Sequence, residues 1–416
     1  MRSWTSPHVP AIQVASPGAP AHVSVHDTAS RGLVEVGPDD GAARMYVCGI
    51  TPYDATHLGH ANTYVTFDLL NRVWRDLGLE VIYAQNITDV DDPLLERALA
   101  TGQDWEELAS SQIDLFRADM EALRVLPPDH YIGVVECVTC VTALLEDLVD
   151  RGAVYQIEDA AYPDWYFTCS PAPGFMGISH LDRASALAKF SEMGGDPDRP
   201  GKRNPLDCLV WSQQRPGEPA WDSRFGRGRP GWHIECTAIA LRHLGPDFDV
   251  QGGGSDLVFP HHEMCAAEGI VASGEPFAQA FVHSGMVGLH GEKMSKSKGN
   301  LELVSRLRNE GADPMAIRLA LLNHHYRDDW EWTPDQLEAA SARLALWRDA
   351  VHATSALPAN DTLAAIRTAL RNDLDAPAAL AAVDAWAGAS TSIESDDVDA
   401  PHVMTVAVDA LLGIEL

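Results

Sequence analysis

The chain has 416 residues, with 60 acidic residues against 30 lysines and arginines and a net charge of −30. That balance argues against broad, non-specific binding to a phosphate backbone, and without an apolar run of 18 residues a membrane-spanning helix is excluded. With 46% hydrophobic and 22% charged residues, the composition is that of a globular protein large enough for two or three domains.

Residues 1–43 are Pro/Ala-rich at the start and read as an extended arm. They lack the basic start and apolar stretch of a signal peptide, so a cytoplasmic protein is expected. Residues 44–300 are expected to form a catalytic domain. Its first part is a β-α-β unit: a strand at Met45–Val47 ending at Cys48, a loop, a helix from His60 to Leu77 with apolar residues at helical spacing, and a second strand at Val81–Ala84. Residues 102–150 read as mostly helical. An insertion is expected at about 120–205, in a stretch where Pro and Gly become frequent. A third strand, Phe248–Val250, opens onto Gln251-Gly252-Gly253-Gly254. Ligands of doubly wound sheets bind outside the carboxyl ends of the strands, so these three strand exits are the candidate site. Residues 301–416 predict a helical C-terminal domain, with a capping box at Thr333-Pro334-Asp335-Gln336. After residue 300 there are 19 acidic residues, 8 arginines and no lysine.

Two segments carry chemistry. The chain has five lysines, and Lys293, Lys296 and Lys298 fall within six positions, in KMSKSKGN. Gathering them on one glycine-flanked loop suits an anion, and Lys293 and Lys296 are point charges fit for a leaving pyrophosphate. The second segment, CGITPYDATHLGHA from Cys48 to Ala61, places His57 and His60 where a strand turns into a helix. Two histidines at a helix N-terminus can donate to phosphate oxygens and stabilise displacement at phosphorus. A buried structural pair or a metal site is the other reading of HLGH.

Together, HLGH and KMSKS resemble the signatures of class I aminoacyl-tRNA synthetases. YVCGITPYDATHLGHA, QNITDVDD, RPGWHIEC, GGGSDLVFPHH and EKMSKSKGN resemble, in order, segments of the cysteinyl-tRNA synthetases, and the resemblance covers about Met45 to Trp332. Within that superfamily the chain is most similar to the mycothiol-pathway cysteine ligases of actinobacteria. That likeness rests on the Ser3-Trp4 start, CGITPYD, DVDDPLLERA where synthetases carry lysine after the paired aspartates, SEMGGDPDRP, and a short tail. The resemblance implies a doubly wound, Rossmann-like parallel sheet with an insertion and a helical C-terminal domain. It also implies an ATP-dependent ligase that activates L-cysteine as cysteinyl-AMP and transfers it to the amine of glucosaminyl-inositol. Magnesium ATP is then a substrate, and neither nucleic acid nor membrane is a partner. A monomer is expected.

The residues also suggest a metal. Cys48, Cys236 and His261 each lie at a predicted strand end or helix start, and two thiolates with an imidazole suit zinc, with a fourth position left for substrate. The resemblance assigns the same three to one zinc per chain. In the synthetases the fourth ligand is a glutamate four residues after this histidine. Here that position is Cys265, either a ligand or a small buried residue. Other roles follow from the resemblance. Gly49, Ile50, Thr51 and Thr63, with Asn86, Ile87 and Thr88, should line the adenylate. Trp232 should wall the cysteine pocket. Gly254, Ser255 and Asp256 should reach the ribose and adenine, with Asp256 a candidate base toward the acceptor amine. His57, His60, Lys293 and Lys296 form the catalytic set. The insertion around Asp196 to Arg203 is a candidate for acceptor binding. Seven cysteines, an odd and scattered number, predict reduced thiols, with Cys137 and Cys140 in a helix core and Cys169 and Cys208 without companions. Two other functions fit the motifs: a cysteinyl-tRNA synthetase with a shortened tail, and a non-catalytic synthetase-like binding protein.

Overall fold

Apolar strands alternating with helices, each helix apolar on the side it packs, stack into a parallel sheet, and the main body of this chain is built that way. The structure is a computed structural model that describes residues 1–16, 18–54, 56–289, 292–293, 301–393 and 395–416, with backbone alone at 292–293. In chain order the first elements are β1 (Val23–Asp27), β2 (Gly32–Val36), β3 (Ala42–Val47), α1 (Leu58–Asp76), β4 (Glu80–Ile87), α2 (Asp92–Thr101), α3 (Trp105–Ala122), β5 (His130–Gly133) and α4 (Val134–Asp150). Then come β6 (Val154–Gln156), β7 (Trp165–Phe167), α5 (Arg183–Glu192), β8 (Cys208–Gln213) and β9 (Gly228–Pro230). The chain continues through α6 (Trp232–Leu244), β10 (Phe248–Gly254), α7 (Glu263–Ser273), β11 (Ala278–Ser284), β12 (Val287–Leu289) and β13 (Glu292–Lys293). It closes with α8 (Val304–Asn309), α9 (Pro314–Leu322), β14 (Trp330–Glu331), α10 (Pro334–Val351), α11 (Asn360–Arg371), α12 (Ala376–Ser390) and α13 (Ala400–Leu412).

The main sheet has the order β11-β10-β3-β4-β5, with every neighbour parallel. The chain begins at the centre in β3, runs outward to β5, and returns on the other side of β3 through β10 and β11. The direction of progression therefore reverses at β3, which opens a crevice at its carboxyl end. Val47 pairs with Gln85 of β4 on one side and Gly252 of β10 on the other, so the three strand exits lie abreast. Helix α1 packs against α9 and α13, while α6 lies against β3 and β4 with α4 beside it. The sheet is thus joined to the C-terminal helices through α1.

The structure differs from the sequence reading in several places. β5 and α4 lie inside the stretch expected as insertion but belong to the parallel layer; the separate antiparallel sheet, β6-β7-β8-β9, spans Val154 to Pro230. A four-residue strand is too short to display a period, which is why β5 escaped notice. The 1–43 segment is not extended throughout: it ends in the β1–β2 hairpin. β10 runs on through the glycines to Gly254 rather than stopping at Val250. Gly252 is needed there, because a Cβ would fall 2.3 Å from the Phe67 ring of α1. Cys137 and Cys140 are not reduced. They form a disulfide near the start of α4, where a spacing of three puts both on one helix face. Cys169 and Cys208 are companions, buried with their sulfurs 3.7 Å apart. No helix among the described residues is long and apolar enough to cross a membrane.

A buried charge cluster ties α1 to the tail. Asp68 accepts from Arg72 Nε at 2.8 Å, from the Arg318 guanidinium of α9, and from the Leu126 N–H at 2.8 Å, and all three charged side chains are fully buried. Arg318 also donates to the Leu412 and Leu123 carbonyls, at 2.7 and 2.9 Å, and Arg72 to the Asp409 carbonyl at 2.9 Å. Burial opposes the Asp68 charge, yet Arg318 and Arg72 outweigh it and hold the carboxyl below its ordinary range. Its stabilisation is therefore complete above the unfolded-state pKa of about 3.9 and is lost as pH falls through the lower folded value. Asp68→Asn, which leaves two guanidinium groups buried without their counterion, should cost about 3–5 kcal/mol, read as a drop in urea midpoint at neutral pH. Because both forms are then neutral at Asp68, the deficit should shrink in acid.

Candidate active site

The exits of β3 and β4 are held together by the Asn86 side chain and one main-chain bond. Asn86, fully buried, accepts from the Gly49 N–H at 2.7 Å and from Tyr46 Oη at 3.1 Å, and donates to Thr88 Oγ1 at 3.1 Å. Thr88 N–H donates to the Ile50 carbonyl at 3.0 Å. A Cβ on Gly49 would lie 1.7 Å from the Asn86 carbonyl oxygen, so no other residue permits this approach. From the far side, the Cys48 N–H donates to the Gly252 carbonyl at 3.0 Å. Cys48 is thereby fixed between β4 and β10.

α6 and the turn before α7 bring the rest. Cys236 stands one turn into α6, and His261 lies in the turn that leads into α7. The ligand atoms of Cys48, Cys236 and His261 lie within 4.8 Å of one another, all buried, and His261 Nε2 is 3.3 Å from Cys236 Sγ. Burial opposes ionisation of Cys236, but the Cys48 thiol and His261 more than offset it and bring the group well below the usual cysteine range. Burial and the Cys236 charge push Cys48 up. Two thiols sharing one proton beside an imidazole form a donor set that can hold a metal such as zinc. Cys265 is not part of that group. Its thiol donates to the His233 carbonyl at 3.3 Å, lies 3.8 Å from His261 Nε2, and is kept protonated by burial.

A further group of side chains lies at the start of α1. His57 is the N-cap: its Nδ1 accepts from the N–H groups of Gly59 and His60, at 3.1 and 3.4 Å. That fixes the proton on Nε2, the nitrogen able to donate onward. The His57 and His60 rings stack at 3.8 Å between centroids. Thr63 Oγ1 meets Ser284 Oγ at 2.8 Å. Trp232 stacks on His261 at 4.5 Å, forming a wall over the thiols.

One cleft of about 970 Å³ joins these groups. Cys48, Gly49, Ile50, Thr51, His57, His60, Thr63, Asn86, Thr88, Trp232, Cys236, Gly254, Asp256 and His261 all line it. Ile87 and Ser255 do not. Side chains alternate along a strand, so between Asn86 and Thr88 the Ile87 side chain points into the hydrophobic core. Lys293 has its backbone in β13, paired with Gly288; Lys296 lies outside the described residues. Of the Asp196–Arg203 segment only Asp196 reaches the cleft. Arg199 turns to Asp159 and Asp164, and Arg203 covers the Tyr155 ring. Sequence reasoning missed the cleft's far end: Asp92 and Glu96 of α2 with its N-cap Asp91, Arg229 of β9, and Glu218 from the loop between β8 and β9. The paired aspartates of DVDD were the available signal.

The family model described as "tRNA synthetases class I (C) catalytic domain" matches residues 36–342. The chain belongs to that family. It is 60% identical over 418 residues to the L-cysteine:1D-myo-inositol 2-amino-2-deoxy-alpha-D-glucopyranoside ligase of Kribbella flavida, covering 100% of both chains. It is also 60% identical over 417 residues to the ligase of the same name from Thermobispora bispora, again with 100% of both covered. Among solved structures, Mycobacterium tuberculosis methionyl-tRNA synthetase in complex with methionyl-adenylate superposes with a TM-score of 0.66 at 16% identity, over 89% of each chain. At that identity the likeness is one of fold, and it agrees with the parallel sheet described above.

The close approach at Gly49 gives a direct test. Gly49→Ala must separate the β3 and β4 exits, and overpacking of this kind costs about 1–3 kcal/mol. Urea unfolding should show that loss, and zinc titration of the variant should show weakened affinity, since Cys48 is displaced with its neighbour.

Proposed function

We propose that this protein is an ATP-dependent ligase that converts L-cysteine and ATP to cysteinyl-AMP and pyrophosphate, then transfers the cysteinyl group to the amine of glucosaminyl-inositol with release of AMP. The observation that carries the reading is the full-length, 60% identity to ligases named for that reaction, and the cleft's donor set supports it.

Cys48, Cys236 and His261 would hold one zinc per chain. When bound, it supplies an open coordination position suited to the substrate's thiolate, a filter against serine that an apolar pocket lacks. Trp232 closes that pocket. The cysteine carboxylate attacks the α-phosphate of ATP, and His57 Nε2–H and His60 donate to phosphate oxygens at the N-terminus of α1. Lys293 and Lys296 take the leaving pyrophosphate. Thr63, Gly254 and Asp256 meet the nucleoside. The amine then attacks the carbonyl carbon, the bond to the phosphate oxygen breaks, and AMP departs.

The charge distribution favours the amino sugar over tRNA as acceptor. Of the two lysines outside the loop, Lys202 is buried against Asp196 and Lys189 pairs with Glu192. All eight arginines after residue 300 are in ion pairs with carboxylates: Arg306, Arg308, Arg318, Arg327, Arg343, Arg348, Arg367 and Arg371. A tRNA stem needs many phosphate contacts, with a steep salt dependence. Cysteine-dependent AMP release should therefore occur with glucosaminyl-inositol and vary little with salt. Efficient charging of tRNA with the amino sugar inert would overturn this assignment.

Two further outcomes test the machinery. Purified protein should carry about one zinc per chain; Cys48→Ala and Cys236→Ala should lose it along with cysteine activation, and Cys265→Ala should keep it. His60→Ala and Lys296→Ala should slow ATP–pyrophosphate exchange by about 10²-fold or more with zinc content unchanged, as measured by metal analysis of the same samples.

A further inference from the structure

The two far walls of the cleft come from different parts of the chain and rest on different cores. One wall is α2, with Asp92 and Glu96; the other is the antiparallel sheet, with Leu209, Ser212 and Arg229. Leu94 and Ala98 of α2 pack with Leu108 and Ala109 of α3 in a small apolar cluster of their own, bordered by Tyr53 and Trp105. Val210 and Trp211 of β8 belong instead to the core that α4 and α6 share with the antiparallel sheet. A polar bridge joins the two walls. Arg229 keeps its backbone in β9, opposite Ser212, and sends its guanidinium to Asp92 in the first turn of α2. Glu218, from the loop between β8 and β9, holds the same guanidinium at 3.4 Å. Among the described residues this is the one ion pair that α2 makes. The bridge is asymmetric: the Asp92 side chain is 65% exposed and that of Arg229 only 8%.

We propose that the Asp92–Arg229–Glu218 bridge is a latch that fixes the width of the acceptor end of the cleft and so selects which amine reaches cysteinyl-AMP. The thiol pocket, the histidine pair and the nucleoside residues occupy the other end, so the attacking amine enters between α2 and β9. A strand paired within its sheet carries the cation, and a helix outside the main core carries the anion. The bridge therefore resists a separation of the walls that apolar packing alone does not oppose. Closed, the gap takes an amine on a small hydroxylated body; open, it takes a larger one. The latch opens at Asp92. Baring the buried guanidinium would be costly, but Glu218 stays on it while the exposed carboxylate of Asp92 turns to water at little cost. No proton moves and no bond is made or broken at the latch. Asp92 and Arg229 are positioning residues, acting through the spacing of the two walls.

This inference rests on the ligase reading, and the arms of one experiment separate the two. Asp92→Asn removes the exposed charge, leaves Arg229 on Glu218, and keeps the Asp91 cap of α2. In the full-length zinc protein, cysteine-dependent ATP–pyrophosphate exchange and trapping of enzyme-formed cysteinyl-AMP by hydroxylamine should stay within about twofold of wild type, as for an independent site. KM for glucosaminyl-inositol should rise by about fivefold, the scale of one partly exposed ion pair, and Asp92→Glu, which keeps the charge, should restore most of it. Preference for glucosaminyl-inositol over a glucosamine trisaccharide should narrow by about the same factor. Arg229→Gln, which leaves the first turn of α2 untouched, should give the same KM, and the double variant no more than either single one. Hydrogen exchange of the α2 amides should quicken in each variant. An unchanged acceptor KM, additive effects in the double variant, or an equal loss in hydroxylamine trapping overturns the latch and leaves the ligase reading standing. Wild-type protein that forms the cysteinyl hydroxamate yet ligates no glucosaminyl-inositol overturns both.

Discussion

The cleft depends on one close approach, the Gly49 backbone against Asn86. Parallel strands leave their exits as open main chain, and nothing in the ladder itself sets the distance between two successive loops. Here the amide of Asn86 sets it, by accepting from the β3 exit and donating within the β4 exit. Cys48 inherits its position from that contact. The thiol then faces Cys236 and His261, which arrive from helical elements on the far side of the insertion. A metal-binding trio assembled from three distant segments stays precise because one of its members hangs on a buried side-chain amide rather than on a loop.

The second organising fact is the disposal of positive charge. The chain is acidic overall, and many of its described cations are engaged by its own carboxylates. Arg72 and Arg318 are fully buried on Asp68, Lys202 is buried on Asp196, and the arginines of the C-terminal helices sit in ion pairs. On the ligase reading, arginines of the tail engaged in this way leave few free cations there for a polyanion. Fold and charge thus part company: the fold agrees with the tRNA synthetases, while the lysine-free, net-acidic tail departs from the basic surface a tRNA stem requires.

Much of this was legible in the residues. The β-α-β unit, the histidine pair at a helix start, and the Cys48, Cys236, His261 trio could be read because each depends on local pattern or on chemically scarce side chains. The capping box at Thr333 formed as its four residues dictate. What escaped was set by tertiary context. β5 is too short to show a period. The Cys137–Cys140 disulfide needed the helix register as well as the spacing. Ile87 was grouped with its neighbours by motif, although strand alternation turns it away from the cleft. The DVDD aspartates alone could not reveal the far end of the cleft, because its other walls come from the β8–β9 region more than a hundred residues later, and acidic side chains in a chain with 60 of them carry little signal singly.

The short ribbon that carries Lys293 has a wider consequence. β13 pairs with β12, and β12 pairs in turn with β14, the strand that leads directly into α10. Main-chain bonds therefore run without interruption from the lysine to the base of the helical tail. The tail is thus no dispensable appendage: it acts as the abutment from which the lysine strand springs. If Lys293 serves pyrophosphate as the ligase reading proposes, alterations in α10 would reach that lysine through the main chain, which makes the remote helices a natural place to look for variants that tune turnover.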